Sequence, residues 1–415
     1  MQSWPTPEIP VVPGESTPPC LWDTATASLV EAQTGETARL YVCGITPYDA
    51  THMGHAATYV AYDTLQRVWR DAGLTVHYAQ NITDIDDPLL ERATATNVSW
   101  RDLADEQIDL FRHDMEALAV IPPDDFIAVT EVIEPIGAAV ERMLQNGTAY
   151  RVDTPDSPAG DDVYFDIAAA EAQGVWTLGS ESGYDRDTML ALSRERGGDP
   201  DRTGKRDPID PLVWRSARPG EPQWPSPLGN GRPGWHIECS VIALRELGAD
   251  FTVQGGGSDL VFPHHELSAA HAAALSGRPL ARVFSHTGMV AYQGEKMSKS
   301  LGNLVRVSDL RAQGVDARNI RLAILAHHYR ADWEWTDDLV PTAADRIASW
   351  SRGLRSDASS GASTSTVLHD LRAALRHDLD TPAALAIADE AAHSGVDDAG
   401  AVRAAIHALL GIKLD

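Results

Sequence analysis

The sequence predicts an α/β fold built on a parallel sheet, and three observations lead there. Residues 38–43 form an apolar run, Ala-Arg-Leu-Tyr-Val-Cys, followed by a glycine-containing turn, a helix over 54–71 and a second run at 75–80. Strand, helix and strand in that order need a crossover, which makes the strands parallel. Helix, strand and helix then return at 236–247, 250–254 and 264–275. The chain has 415 residues, 43% hydrophobic and 23% charged, ordinary for a globular protein and enough for more than one core.

Each remaining element has a local reason. The first 20 residues hold six prolines and read as an irregular arm laid on the surface, within an N-terminal arm of residues 1–37. Gly73 ends the first helix. Ser99-Trp-Arg-Asp102 reads as a capping box that opens a long helix. A helix over 131–145 closes at Asn146-Gly147. Residues 151–230 are rich in Gly, Pro and Asp, with short strands such as 163–167, and read as an insertion between two catalytic halves, 38–150 and 231–305. A strand over 282–292 leads into a lysine-containing loop, and 319–329 is helical. Residues 356–366 are almost all Ser, Ala, Gly and Thr, as in a linker, within a largely helical C-terminal region, 306–415.

The net charge is -26, from 34 basic and 60 acidic residues. Proteins that hold nucleic acid by its phosphates carry a basic footprint, so no nucleic-acid partner is expected. Three cysteines, Cys20, Cys43 and Cys239, in a chain of this length point to reduced thiols and a cytoplasmic setting. No stretch approaches the roughly 18 apolar residues that a membrane helix needs, and the N-terminus lacks a basic start and an apolar run. A monomer is expected.

Two short motifs suggest phosphate chemistry. His52-Met-Gly-His55 opens the first helix. Residues at i and i+3 share a helix face, and the helix N-terminus offers free N–H groups and a positive dipole end. Gly54 lets a ligand approach the backbone. The second motif is Lys296-Met-Ser-Lys-Ser300, which holds two of only four lysines, the other 30 basic residues being arginine. Lysine is a compact, mobile charge suited to phosphate. Gly198 to Lys205 imitates a P-loop, but its glycines are one residue too far apart and Arg206 replaces the magnesium-binding hydroxyl.

These motifs, in this order, resemble the two signatures of class I aminoacyl-tRNA synthetases. The resemblance to cysteinyl-tRNA synthetases is closer. It runs through Tyr41-Val-Cys-Gly-Ile-Thr-Pro-Tyr-Asp49, Asn81-Ile-Thr-Asp-Ile-Asp-Asp87, Gly231-Arg-Pro-Gly-Trp-His-Ile-Glu-Cys239 and Gly255-Gly-Gly-Ser-Asp-Leu-Val-Phe-Pro-His-His-Glu266. It implies a Rossmann-like catalytic domain with an inserted connective region and a short C-terminal helical domain. It also implies ATP as substrate, with Mg2+, and a cysteinyl adenylate stabilised by His52, His55, Lys296 and Lys299. Cys43, Gly44, Ile45, Thr46, Thr58, Asn81, Ile82, Thr83, Trp235 and Val290 would border cysteine and the adenylate. Gly257, Ser258 and Asp259 would reach the nucleotide. Ordinary packing is the competing reading for Thr58 and Trp235.

On spacing alone, Cys43 and Cys239 read as two buried free thiols. The resemblance makes them zinc ligands together with His264, and puts Ser268 where the family has a fourth ligand, Glu. Zinc prefers a thiolate to an alcohol, and three protein ligands leave a position for the substrate sulfur.

Only 115 residues follow Ser300, and the last 75 contain seven basic and ten acidic residues. A tRNA-charging enzyme needs an anticodon-reading domain in that region. His377-Asp-Leu-Asp-Thr-Pro-Ala-Ala-Leu385 resembles the start of the synthetase helical domain. The chain therefore resembles the synthetase-like ligases of mycothiol biosynthesis, which couple L-cysteine to glucosaminyl-inositol; a short cysteinyl-tRNA synthetase is the alternative. Glu195-Arg-Gly-Gly-Asp-Pro200 is a segment associated with those ligases, so Glu195 and Asp199 are candidates for the acceptor site.

Overall fold

The computed structural model describes residues 1–48, 51–297, 302–358 and 361–415. Its central sheet has five strands: β1 (Thr37–Val42), β2 (Thr75–Ile82), β3 (Asp125–Ala128), β4 (Phe251–Gly257) and β5 (Ala281–Thr287). They pair in the order β5-β4-β1-β2-β3, every pair parallel. Helix α1 (Met53–Asp71) joins β1 to β2, and α2 (Asp87–Thr96) and α3 (Trp100–Ala117) lead to β3. Helices α4 (Ile133–Asn146) and α5 (Trp235–Glu246) follow, and α6 (Glu266–Ser276) joins β4 to β5.

Alternation along β1 sends side chains to two cores. Leu40 and Val42 pack with α1 and the C-terminal helices, whereas Tyr41 packs with α4, α5 and α6 on the other face. Both faces are covered, as a parallel sheet requires. Strand order runs one way from β1 through β2 and the other way through β4. A crevice therefore opens at the carboxyl ends of β1 and β4.

Between α4 and α5 the chain forms a four-stranded antiparallel sheet of Ala149–Val152, Asp162–Phe165, Leu212–Ser216 and Gly231–Pro233. The C-terminal region contains Ala317–Leu325, Leu339–Gly353, Thr364–Arg376, Thr381–Ser394 and Ala399–Leu410, all helical. The N-terminal arm includes a hairpin, Cys20–Asp23 with Ser28–Glu31. Its anchor is Trp4, buried between Phe111 and Phe126, with Nε1 donating to Val120 O at 2.7 Å.

Several expectations need correction. Helix α3 starts where foreseen, but Ser99 makes no side-chain cap, so there is no capping box; only its carbonyl takes part, accepting from Leu103 N. The strand expected over 282–292 is two, β5 and Val290–Tyr292, because Gly288 turns away to donate to Tyr329 O. The supposed linker already starts a helix at Thr364, and Ala358 and Ala362 bond to Val396 and Gly395.

Candidate active site

Helix α1 points its N-terminus into the crevice. His52 caps it, with Nδ1 accepting from Gly54 N at 3.1 Å. His55, one turn on, stacks on His52 with ring centroids 3.7 Å apart and 25° between planes. His55 lines the cavity described below, and desolvation pulls its pKa to about 4, so the ring is neutral near pH 7. Among the described residues its Nδ1 has no hydrogen-bond partner. A neutral ring N–H at the positive end of a helix can receive an anion without carrying a counter-charge of its own.

A cavity of about 610 Å3 covers these rings. The carboxyl end of β1 contributes Cys43, Gly44, Ile45 and Thr46, and that of β2 contributes Asn81 and Thr83. Thr58 on α1 also lines it. From the second half of the sheet come Trp235, Cys239, Gly257, Asp259, His264 and Val290. Asn81 holds the β1 turn: its Oδ1 accepts from Gly44 N at 2.9 Å and from Tyr41 at 3.1 Å, while Nδ2 donates to Thr83 Oγ1 at 3.1 Å. The approach is so close that a Cβ on Gly44 would lie 1.5 Å from Asn81 O. Thr58 Oγ1 meets Thr287 Oγ1 at 2.8 Å and ties α1 to β5.

At the base of the cavity, donor atoms of Cys43, Cys239 and His264 all lie within 4.8 Å of one another, and all three residues are buried. Cys43 Sγ is 3.3 Å from His265 Nε2 and 3.4 Å from Gln254 Nε2. The His264 ring stacks on Trp235 at 4.6 Å and meets His236 Nδ1 at 3.0 Å. Burial pushes the Cys43 thiol well up, whereas the hydrogen bond from Cys43 holds Cys239 well down. A divalent cation bound between these two buried sulfurs would displace their protons and hold both as thiolates. Two sulfurs and an imidazole nitrogen suit a zinc-like ion. Ser268 is outside this cluster. Its hydroxyl donates to His236 O at 3.2 Å, and Ser240 Oγ donates to Ser268 O at 3.0 Å.

Other singled-out residues lie elsewhere. Ile82 is buried and does not line the cavity, and Ser258 is half-buried beside Gly257. The backbone of Lys296 pairs with Ala291, next to Val290; Lys299 lies outside the described residues. Glu195 is exposed at the end of the helix Arg186–Glu195. Asp199 accepts from Tyr164 and from Lys205 Nζ, the latter at 3.0 Å. Neither borders the cavity. It is Arg196 between them that reaches the site, donating to Asp259 O and, at 2.5 Å, to Phe262 O. Tyr59, which donates to Cys43 O at 3.1 Å, and His236 were missed as site residues. Tyr59 follows His55 by four residues on α1, a spacing that could have shown it.

The chain matches the family of tRNA synthetases class I (C) catalytic domain over residues 29–345. It belongs to this class I synthetase family. An L-cysteine:1D-myo-inositol 2-amino-2-deoxy-alpha-D-glucopyranoside ligase from Clavibacter michiganensis subsp. michiganensis is 59% identical, covering 100% of this chain and 99% of the relative. Ligases of the same name from Cellulomonas flavigena and Thermobispora bispora are 55% and 54% identical, with full coverage of both chains. Among solved structures, a Mycobacterium tuberculosis methionyl-tRNA synthetase in complex with methionyl-adenylate superimposes with a TM-score of 0.61 at 17% identity, covering 86% of this chain and 82% of that one. That likeness is one of fold: the class I synthetase sheet, with its crevice at the switch between β1 and β4. Among the described residues no helix is long and apolar enough to cross a membrane.

Proposed function

We propose that the protein ligates L-cysteine to the amine of glucosaminyl-inositol, converting ATP to AMP and pyrophosphate, as a step of mycothiol biosynthesis. The observation that carries this reading is a thiol-selective donor set, Cys43, Cys239 and His264, in the same cavity as the paired rings of His52 and His55. Whole-length identity of 54–59% to ligases of that name supports the acceptor.

The reaction has two stages. The cysteine carboxylate attacks the α-phosphorus and pyrophosphate leaves. The sugar amine then attacks the cysteinyl carbonyl and AMP leaves. His52, His55 and the α1 N-terminus stabilise charge that grows on the phosphate, and Lys296 and Lys299 add positive charge to the same end. Thr46, Asn81, Thr83 and Trp235 border the cysteinyl group, and Gly257, Ser258 and Asp259 take the nucleotide. Zn2+ held by Cys43, Cys239 and His264 would supply selectivity for a thiol over a hydroxyl. Mg2+ accompanies ATP. The partners are these small molecules, the working unit is a monomer, and the setting is cytoplasmic. An amine is a stronger nucleophile than a ribose hydroxyl, so a positioned neutral amine needs little help from a base.

Purified protein with ATP and cysteine, offered either glucosaminyl-inositol or total tRNA, tests the reading. Amide formed on the sugar is expected. Cysteinyl-tRNA as the efficient product would overturn it.

A further inference from the structure

We infer that Arg196 is a positioning residue for the active site: together with Glu266 it clamps the inserted region onto the segment that carries His264. The role rests on the thiol site of the ligation proposed above. Between Phe165 and Leu212 the chain leaves the inserted sheet, and residues 179–196 of that excursion bond to residues 259–266. The segment from the end of β4 to the start of α6 carries Gly257, Asp259 and His264, all of which line the cavity. Metal–ligand distances tolerate only about 0.2 Å, so the backbone beneath His264 must be fixed.

A helical ladder does not hold this segment. Ser258–Leu260 is one short helical turn, and Phe262 is extended, at φ -140° and ψ 137°. Pro263 disfavours the helical region for the residue before it and offers no N–H of its own. Carbonyls in such a stretch need donors from elsewhere. Arg196 supplies them. Its Nη1 donates to Asp259 O and, at 2.5 Å, to Phe262 O, two residues before His264. Two residues after His264, the buried Glu266 carboxylate accepts from Gly179 N at 3.0 Å, Ser182 N at 2.8 Å and Glu181 N at 3.3 Å. One stretch of the inserted region thus fastens the chain on both sides of the histidine. Among the described residues no carboxylate pairs with the Arg196 guanidinium, which is spent on these backbone oxygens. Its removal orphans no buried charge, so a positioning role can be separated from a general loss of fold.

The test compares three variants. Arg196→Met keeps the aliphatic stem without the donors, and Arg196→Lys brings one ammonium that can reach both carbonyls. Arg194→Met is the control, at an exposed arginine of the same helix that pairs with Asp201. Zinc transfer to a chromophoric chelator reads the metal site, and cysteine-dependent pyrophosphate exchange gives the cysteine KM. In Arg196→Met zinc should leave about tenfold faster or more, as when other residues that orient a metal ligand are lost. The cysteine KM should rise about fivefold or more, because the sulfur site is misplaced. Arg196→Lys should bring both to within about threefold of wild type, and Arg194→Met should match wild type. Zinc release and KM within about twofold of a zinc-holding wild type in Arg196→Met overturn the clamp and leave the thiol site intact. If Arg196→Met does not fold, Glu266→Gln loosens the second fastening, and zinc release within about twofold of wild type in that variant overturns the clamp. A wild-type protein that holds no zinc overturns the thiol site and the clamp together.

Discussion

The hydroxyl of Ser268 donates to the backbone oxygen of His236 at 3.2 Å. With Ser240 bonding back to the Ser268 carbonyl, the position that the resemblance to cysteinyl-tRNA synthetases marks for a fourth metal ligand is used to fasten α6 to α5. Ser268→Ala should therefore keep its full metal content. It should lose about 1 kcal/mol of stability, the usual worth of one neutral hydrogen bond. Metal analysis and urea denaturation read both. Loss of metal in this variant would make Ser268 a ligand after all.

Cys43 and Cys239 lie on different strand–helix units, so each should be separately necessary for the metal. Cys43→Ser and Cys239→Ser should each lower zinc content well below about one per chain, the stoichiometry of a single site. Selection of cysteine over serine in pyrophosphate exchange should fall with it, because a pocket that merely fits the side chain discriminates poorly. Full zinc and unchanged selectivity in both variants would put the thiol site elsewhere.

Much of this was legible in the sequence because local signals agreed. The 38–43 run, the His52–His55 spacing and the stop at Gly73 each follow from short-range rules, and β1 and α1 lie where they point. The grouping of Cys43, Cys239 and His264 was not legible from spacing, because Cys43 and His264 meet only through the order in which β1 and β4 pair. Tertiary contacts also set the surroundings of Ser99 and Asp199. A helix can start on a backbone carbonyl alone, and Asp199 is occupied by Lys205, which no local pattern announces. The reach of Arg196 to Asp259 and Phe262 spans more than 60 residues and was equally invisible.

Buried neutral histidines make the fold sensitive to acid. His271 and His286 are buried, and burial pulls each pKa from its ordinary 6.5 to about 3. The unfolded chain takes up these protons first as pH falls through 6.5, so stability drops from there down to the folded-state values. At pH 5 the loss should be on the order of 2 kcal/mol for each group. Denaturant midpoints at pH 7 and pH 5 measure it, and His286→Gln should remove that ring's share of the difference while His271 keeps its own. A pH 7 to pH 5 difference that is unchanged in His286→Gln would show that this ring is not held neutral.

The last prediction concerns how the C-terminal helix is bound to α1. Asp63 on α1 accepts from Arg67 Nε at 2.7 Å, from Arg321 Nη2, and through its other oxygen from Ile121 N at 2.8 Å. Burial pushes the Asp63 carboxyl up, but Arg321 and Arg67 outweigh it and hold it below the ordinary range. The two guanidinium groups continue to the end of the helix Ala399–Leu410. Arg67 donates to His407 O and Ala408 O, and Arg321 donates to Leu410 O at 2.6 Å. Cations at a helix C-terminus satisfy carbonyls that lack partners and match the helix dipole. Removing the carboxylate leaves two buried guanidiniums facing each other. Asp63→Asn should therefore cost about 3–5 kcal/mol, the usual result of breaking a buried ion pair from one side. Arg321→Met should cost less, because Arg67 still neutralises Asp63. Chemical denaturation of both variants decides it. A loss below about 1 kcal/mol in Asp63→Asn would mean that the network is hydrated and that hydrophobic packing alone joins the C-terminal helix to α1.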